Sequence, residues 1–173
     1  MSKLSYGDLL HRQAELQRLG GMLMPGVKQA RVALLTEVGE LAQECKPDWA
    51  WWKKPGEHPQ ADRERVLAEA ADALHFMLLL DLAYDEDDCL ECPDWGNLGH
   101  SGAYRDSDAA GILDALFEGA FDPYVNAIPG WDMTDALCAL LALYGFTPED
   151  LARAYWEKSE ENLRRWAAVA GQP

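Results

Sequence analysis

The sequence predicts an all-α fold, a helical bundle with four or more core helices. Three observations carry this. Long segments repeat their apolar residues at helical spacing. Capping residues stand where those segments begin. No segment alternates apolar and polar residues as a half-buried strand would. The 173 residues suit one domain, residues 1–173, with a core of its own.

The elements follow in order. Ser5-Tyr-Gly-Asp8 reads as a capping box opening a helix that runs through LLHRQAELQRL and stops at Gly20-Gly21. Pro25 suits the first turn of a second helix, GVKQARVALLTEVGELAQEC, which Pro47 ends. Residues 47–61, with three prolines and three tryptophans, read as a loop or short turn. Asp62 caps a third helix, RERVLAEAADALHFMLLLDLAY, whose Ala and Leu content suits a core position. Composition then shifts to glycine, proline and charge, so the next two dozen residues read as a long surface loop that opens with the solvated Asp85-Glu-Asp-Asp88. Shorter helices are expected near 108–119 and 132–144, the second ended by Gly145. Thr147-Pro-Glu-Asp150 opens the last helix.

Net charge is −15, from 30 acidic and 15 basic residues. That repels nucleic acid polymers and anionic membranes. Divalent cations can still bridge such a chain to a phosphate compound. No apolar run nears the ~20 residues that span a bilayer, and the N-terminus has no secretory h-region, so the expected location is cytoplasmic. Cys45, Cys89, Cys92 and Cys138 are expected as reduced thiols. Cys89 and Cys92 with His100 fall short of the usual two-pair zinc spacing.

The chemistry lies in EVGELAQE, residues 37–44. At ~100° per residue, Glu37, Glu40 and Glu44 fall within roughly a 60° arc. A solvated face is the plain alternative, but Leu34, Leu35, Val38 and Leu41 give the same helix a wide apolar belt. The third helix repeats the spacing with Glu69 and Asp72, in a stretch nearly free of other charge. Four carboxylates converging from two buried helices repel one another and need cations. All-oxygen ligands favour Mg²⁺ or Mn²⁺, two or more ions per site. Mg²⁺ in turn favours a phosphorylated substrate and displacement at phosphorus, with a carboxylate or a metal-held hydroxide taking the proton from water. Asp81 lies too far along its helix to join this group, and Glu44 either completes it or marks its edge.

Glu-x-x-Glu followed some thirty residues on by Glu-x-x-Asp resembles the all-α nucleoside triphosphate pyrophosphohydrolases, which include the MazG-like enzymes and the dimeric dUTPases. EVGELAQE with Trp51-Trp52-Lys53 is similar to the first motif of the dUTPase branch. Asp72-Ala-Leu-His75-Phe76 is similar to its second, and Tyr155, Lys158, Asn162 and Arg165 to its third. Arg12-Gln13-Ala-Glu-Leu16 is a fainter match to a helix that reaches uracil. The motifs span roughly 10–80 and 150–166; residues 85–147 carry none, and Arg164-Arg165-Trp166-Ala departs from the family's arginine- and glutamine-rich ending.

The resemblance implies dUTP hydrolysis to dUMP and pyrophosphate, with Glu37, Glu40, Glu69 and Asp72 as metal ligands and Glu37 or Glu40 as the base. Substrate contacts would come from Gln13, Trp52, Lys53, His75, Tyr155, Lys158, Asn162 and Arg165. It also implies a homodimer. An aromatic face such as Trp52 suits a nucleobase. Asn162 carries both a donor and an acceptor for a pyrimidine edge. Two alternatives stand beside this one: a broader MazG-like house-cleaning pyrophosphatase, and a non-catalytic helical module that only binds metal. Ferritin-like carriers fit poorly, because they use Glu-x-x-His.

Overall fold

A computed structural model describes residues 5–54, 57, 60–84, 95, 98, 103–121 and 129–170, with side chains omitted at 129–132, 169 and 170. Every regular element among them is an α-helix: α1 Tyr6–Leu19, α2 Val27–Glu44, α3 Lys46–Trp49, α4 Arg63–Ala83, α5 Ala109–Phe121, α6 Pro129–Leu143 and α7 Pro148–Ala170. None is long and apolar enough to cross a membrane. The expectations for Asp85–Asp88, Cys89, Cys92 and His100 lie outside the described residues. Cys45 and Cys138 are buried free thiols.

The helix starts follow from local chemistry. The Ser5 hydroxyl accepts from Asp8 N–H at 3.2 Å while Asp8 Oδ2 accepts from Ser5 N–H at 2.8 Å, a reciprocal capping box. Thr147 and Asp150 repeat it at α7, at 3.2 and 2.9 Å. Asp62 Oδ1 takes the Glu64 and Arg65 amides at the head of α4. The stops follow too: Gly21 and Gly145 sit at φ 63° and 79°, beyond α1 and α6, a region that suits glycine.

Two boundaries differ from expectation. Pro25 precedes α2 instead of entering it, because Gly26 is the N-cap and its N–H donates to Gln29 Oε1 at 3.0 Å. Pro47 does not end α2. That helix closes at Glu44, and Pro47 occupies the first turn of α3, where its missing N–H costs nothing. The loop or short turn expected over residues 47–61 therefore begins as a four-residue helical turn. The later helices run Ala109–Phe121 and Pro129–Leu143, displaced by one to three residues from the expected ranges.

α4 is the central helix. It buries Val66, Leu67, Leu74, Met77, Leu78 and Leu80 on several sides and packs against α1, α2, α6 and α7. The α2–α4 pairing is the most extensive, with Leu34, Val38 and Leu41 completely buried. At roughly 25 cal/mol per Å² of apolar surface, each such leucine contributes about 2 kcal/mol. The apolar stripe of α2 thus fixes its roll against α4 and brings the polar flank of α2 alongside that of α4.

Candidate active site

Packing α2 on α4 brings three acids together. One carboxylate oxygen from each of Glu37, Glu40 and Glu69 lies within 4.8 Å of the others. Glu37 and Glu69 are half-buried and Glu40 is exposed. Partial burial pushes Glu37 up to about 7, and the charges of Asp72, Glu40 and Glu69 add to the rise. Glu69 is raised for the same reasons, burial first and then Asp72 and Glu40. The group therefore holds more negative charge than its surroundings neutralise.

Asp72 completes the acid pair on α4, but its Oδ2 accepts from Lys158 Nζ at 2.7 Å. Burial lowers the Lys158 pKa, and the bond and charge of Asp72 more than offset that, leaving it raised. Glu44 pairs with Arg65 at 2.5 Å, so it stands at the edge of the group, still near enough to raise Glu69. Asp81 accepts from the Tyr6 hydroxyl.

Four carboxylates presenting only oxygen suit a hard divalent cation. The donor set fits Mg²⁺ or Mn²⁺ in chemistry and in its unneutralised charge. Among the described residues Glu37, Glu40 and Glu69 are the one group of acidic, sulfur or nitrogen ligands close enough together to hold a metal, and Asp72 lies outside that group.

Beyond Asp72 on α4 lies a buried polar cluster. His75 Nδ1 is 2.8 Å from Gln13 Oε1, and the Tyr155 hydroxyl donates to the same oxygen at 3.0 Å. The His75 and Tyr155 rings lie 4.3 Å apart, tilted by 38°. In the tautomer with the proton on Nδ1, Gln13 Oε1 accepts it and Nε2 presents a lone pair. That Nε2 is buried without a hydrogen-bond partner among the described residues. Burial pulls His75 down to about 4, helped by the Lys158 charge, so the ring is neutral near pH 7. Three residues singled out separately in the sequence thus form one unit.

The tryptophans divide by depth. Trp49 is half-buried and its Nε1 donates to Ala42 O at 2.7 Å. Trp52 is half-exposed, edge-on to Trp49 at 5.3 Å, while Trp51 is almost wholly exposed. Lys53 and Lys54 are exposed beside them. The Tyr144 hydroxyl donates to Asp48 at 2.7 Å, tying this turn to the end of α6. On α7, Asn162 is half-buried, whereas Arg165 is exposed. Arg12 turns from the acids to Glu160 and Ser159 and lies over the Trp156 ring. Phe76 packs against the core.

The sequence did not announce the Lys158–Asp72 and Arg65–Glu44 pairs. Arg65 stands one turn before Glu69, which was the available signal for the second. The first joins residues 86 apart and left none.

No curated protein and no solved structure matches the chain significantly. A family model does, described as dUTPase, over residues 8–168. The match runs through residues 85–147, where the sequence displays no motif of that family. With its all-helical architecture and the acids of α2 and α4 side by side, the chain belongs to the all-α dUTPase family.

Proposed function

We propose that the protein hydrolyses dUTP to dUMP and pyrophosphate in a reaction dependent on divalent cations. The observation that carries this reading is the group of Glu37, Glu40 and Glu69 oxygens within 4.8 Å, in a chain of the dUTPase family. Glu37, Glu40, Glu69 and Asp72 would hold Mg²⁺ or Mn²⁺, two or more ions per site. When bound, such ions neutralise the phosphate chain and lower the pKa of the attacking water. Glu37 or Glu40 takes the proton from that water. In the cation-free protein Glu37 is pushed up to about 7; bound cations would offset the neighbouring charges and keep it ionised to accept a proton.

The remaining residues bind and orient. Lys158, Lys53 and Arg165 meet phosphate oxygens, as point charges or, for Arg165, as a fork. Trp52 offers a face to the base. Asn162 and the Gln13–His75–Tyr155 unit meet its polar edge. The bare His75 Nε2 supports a uracil, whose N3–H can donate to it. Cytosine presents a lone pair there, so the two acceptors would be left facing each other. The same reading makes the protein a homodimer, for which Leu19, Met22, Leu23 and Met24 offer exposed apolar surface around the α1–α2 turn.

Pyrophosphate release from a panel of ribo- and deoxynucleoside triphosphates, with Mg²⁺ and with Mn²⁺, tests this. Turnover of dUTP should exceed that of dCTP by about 100-fold or more, since an unpaired polar edge is strongly rejected. Similar rates on many triphosphates would support a MazG-like breadth instead. No turnover, with metal still bound, would reduce the site to a metal-binding module.

A further inference from the structure

Among the described residues, Glu37, Glu40 and Glu69 make no ion pair. Among those residues the only cation joined to the two acid pairs is Lys158, 2.7 Å from Asp72 Oδ2. Both side chains are partly shielded, at 31% and 22% exposure, so water screens the pair less than it would at the surface. Lys158 reaches across from α7 to α4, two helices packed on each other. A divalent ion using Asp72 as a ligand requires the carboxylate that Lys158 holds. The ammonium also repels any cation placed among these acids. Once freed, it stands beside the acid cluster, where a phosphate chain bridged to these carboxylates would lie.

We propose that Lys158 is the internal counter-ion of the carboxylate site, holding Asp72 until a divalent cation and a phosphate chain arrive together and then passing from carboxylate to phosphate. This rests on the proposed cation site and adds to it a coupling that no static ligand set contains. Lys158 opposes metal binding to the nucleotide-free protein and favours it when a triphosphate is present. By linkage, metal and nucleotide then strengthen each other's binding. A residue of purely structural importance would weaken both.

The test is Mn²⁺ binding to the full chain, followed by electron paramagnetic resonance. It uses wild type, Lys158→Met and Lys158→Arg, each alone and with a non-hydrolysable α,β-imido analogue of dUTP. Lys158→Met should bind Mn²⁺ about three- to tenfold more tightly than wild type without nucleotide, as a repelling charge is lost. With the analogue present that advantage should vanish or reverse, and the analogue itself should bind more weakly. Lys158→Arg should keep the wild-type order, since it keeps the charge. If the methionine variant does not fold, Lys158→Gln is read in its place. Unchanged or weaker Mn²⁺ binding in a folded Lys158→Met protein without nucleotide overturns the proposal and leaves the cation site standing. Wild type that binds no Mn²⁺, with or without the analogue, overturns both.

Discussion

Gln13 is a small side chain with a large assigned duty, and its removal has a calculable cost. It is almost wholly buried, and its Oε1 accepts from His75 Nδ1 at 2.8 Å and from the Tyr155 hydroxyl at 3.0 Å. Gln13→Leu keeps much of the volume and leaves both donors without that acceptor. A buried donor left unpaired costs about 1–3 kcal/mol. Tyr155 has a fallback in Leu9 O at 3.4 Å, a long bond, so its share falls at the low end. His75 loses its 2.8 Å partner outright, so its share lies higher in that range. The sum is about 3 kcal/mol. For a domain of this size that is a fall in Tm of about 6–12 °C. Urea unfolding of Gln13→Leu, Tyr155→Phe and the double variant measures it. In the Tyr155→Phe background the Gln13 cost should drop by about 1 kcal/mol, as one of the two orphaned donors is already gone. A Gln13→Leu cost below about 1 kcal/mol, or one identical in both backgrounds, refutes the shared acceptor.

Four further outcomes are expected. In EDTA, Glu37 destabilises the fold as pH rises from its ordinary 4.5 through about 7, because the folded protein holds that proton more tightly than the unfolded chain. His75 acts oppositely, its contribution being lost as pH falls from 6.5 towards about 4, so the two partly cancel in wild type. The stability of wild type minus that of Glu37→Gln should therefore slope downward between pH 4.5 and 7, and a flat difference would contradict the assignment. Gly20→Ala places a Cβ 2.6 Å from the Trp166 ring and should cost about 1–3 kcal/mol by loosening α1 against α7. Gly21→Ala meets open space, yet should cost about 1–2 kcal/mol because its φ is 63°; urea midpoints report both. Trp52→Ala should raise the KM for dUTP by about fivefold to 100-fold, the range of one lost base stack. Trp51→Ala should leave it near wild type, and the reverse order in steady-state kinetics would exchange their roles.

What was legible in the sequence is what is local. The capping box at Ser5 and the helix start at Thr147 need four residues each, and both formed where expected. The i, i+3 acids at Glu37–Glu40 and Glu69–Asp72 needed only helical periodicity and the expectation that α2 and α4 pack together. Pro47 misled because a proline is compatible with both a helix end and a helix start, and burial of Cys45 at the α2–α3 junction is invisible in the sequence. Contacts over long separations were illegible in principle. Gln13, His75 and Tyr155 were each singled out as meeting substrate, but their mutual bonds span 62 and 142 residues. Asp72 was counted with the other acids as a ligand, and its pairing to Lys158 depends on how α7 lies across α4. Residues 85–147 showed no motif, yet the family match spans them, from residue 8 to 168.

The most direct measurement is phosphorus NMR of dUTP with Mg²⁺, incubated with wild type and with Glu40→Gln. Glu40 is exposed and isosterically replaced, so the fold should be preserved while the three-carboxylate group is broken. Wild type should yield dUMP and pyrophosphate, and the variant should leave dUTP intact. Release of dUDP and phosphate, or equal turnover by the variant, would contradict the proposed function.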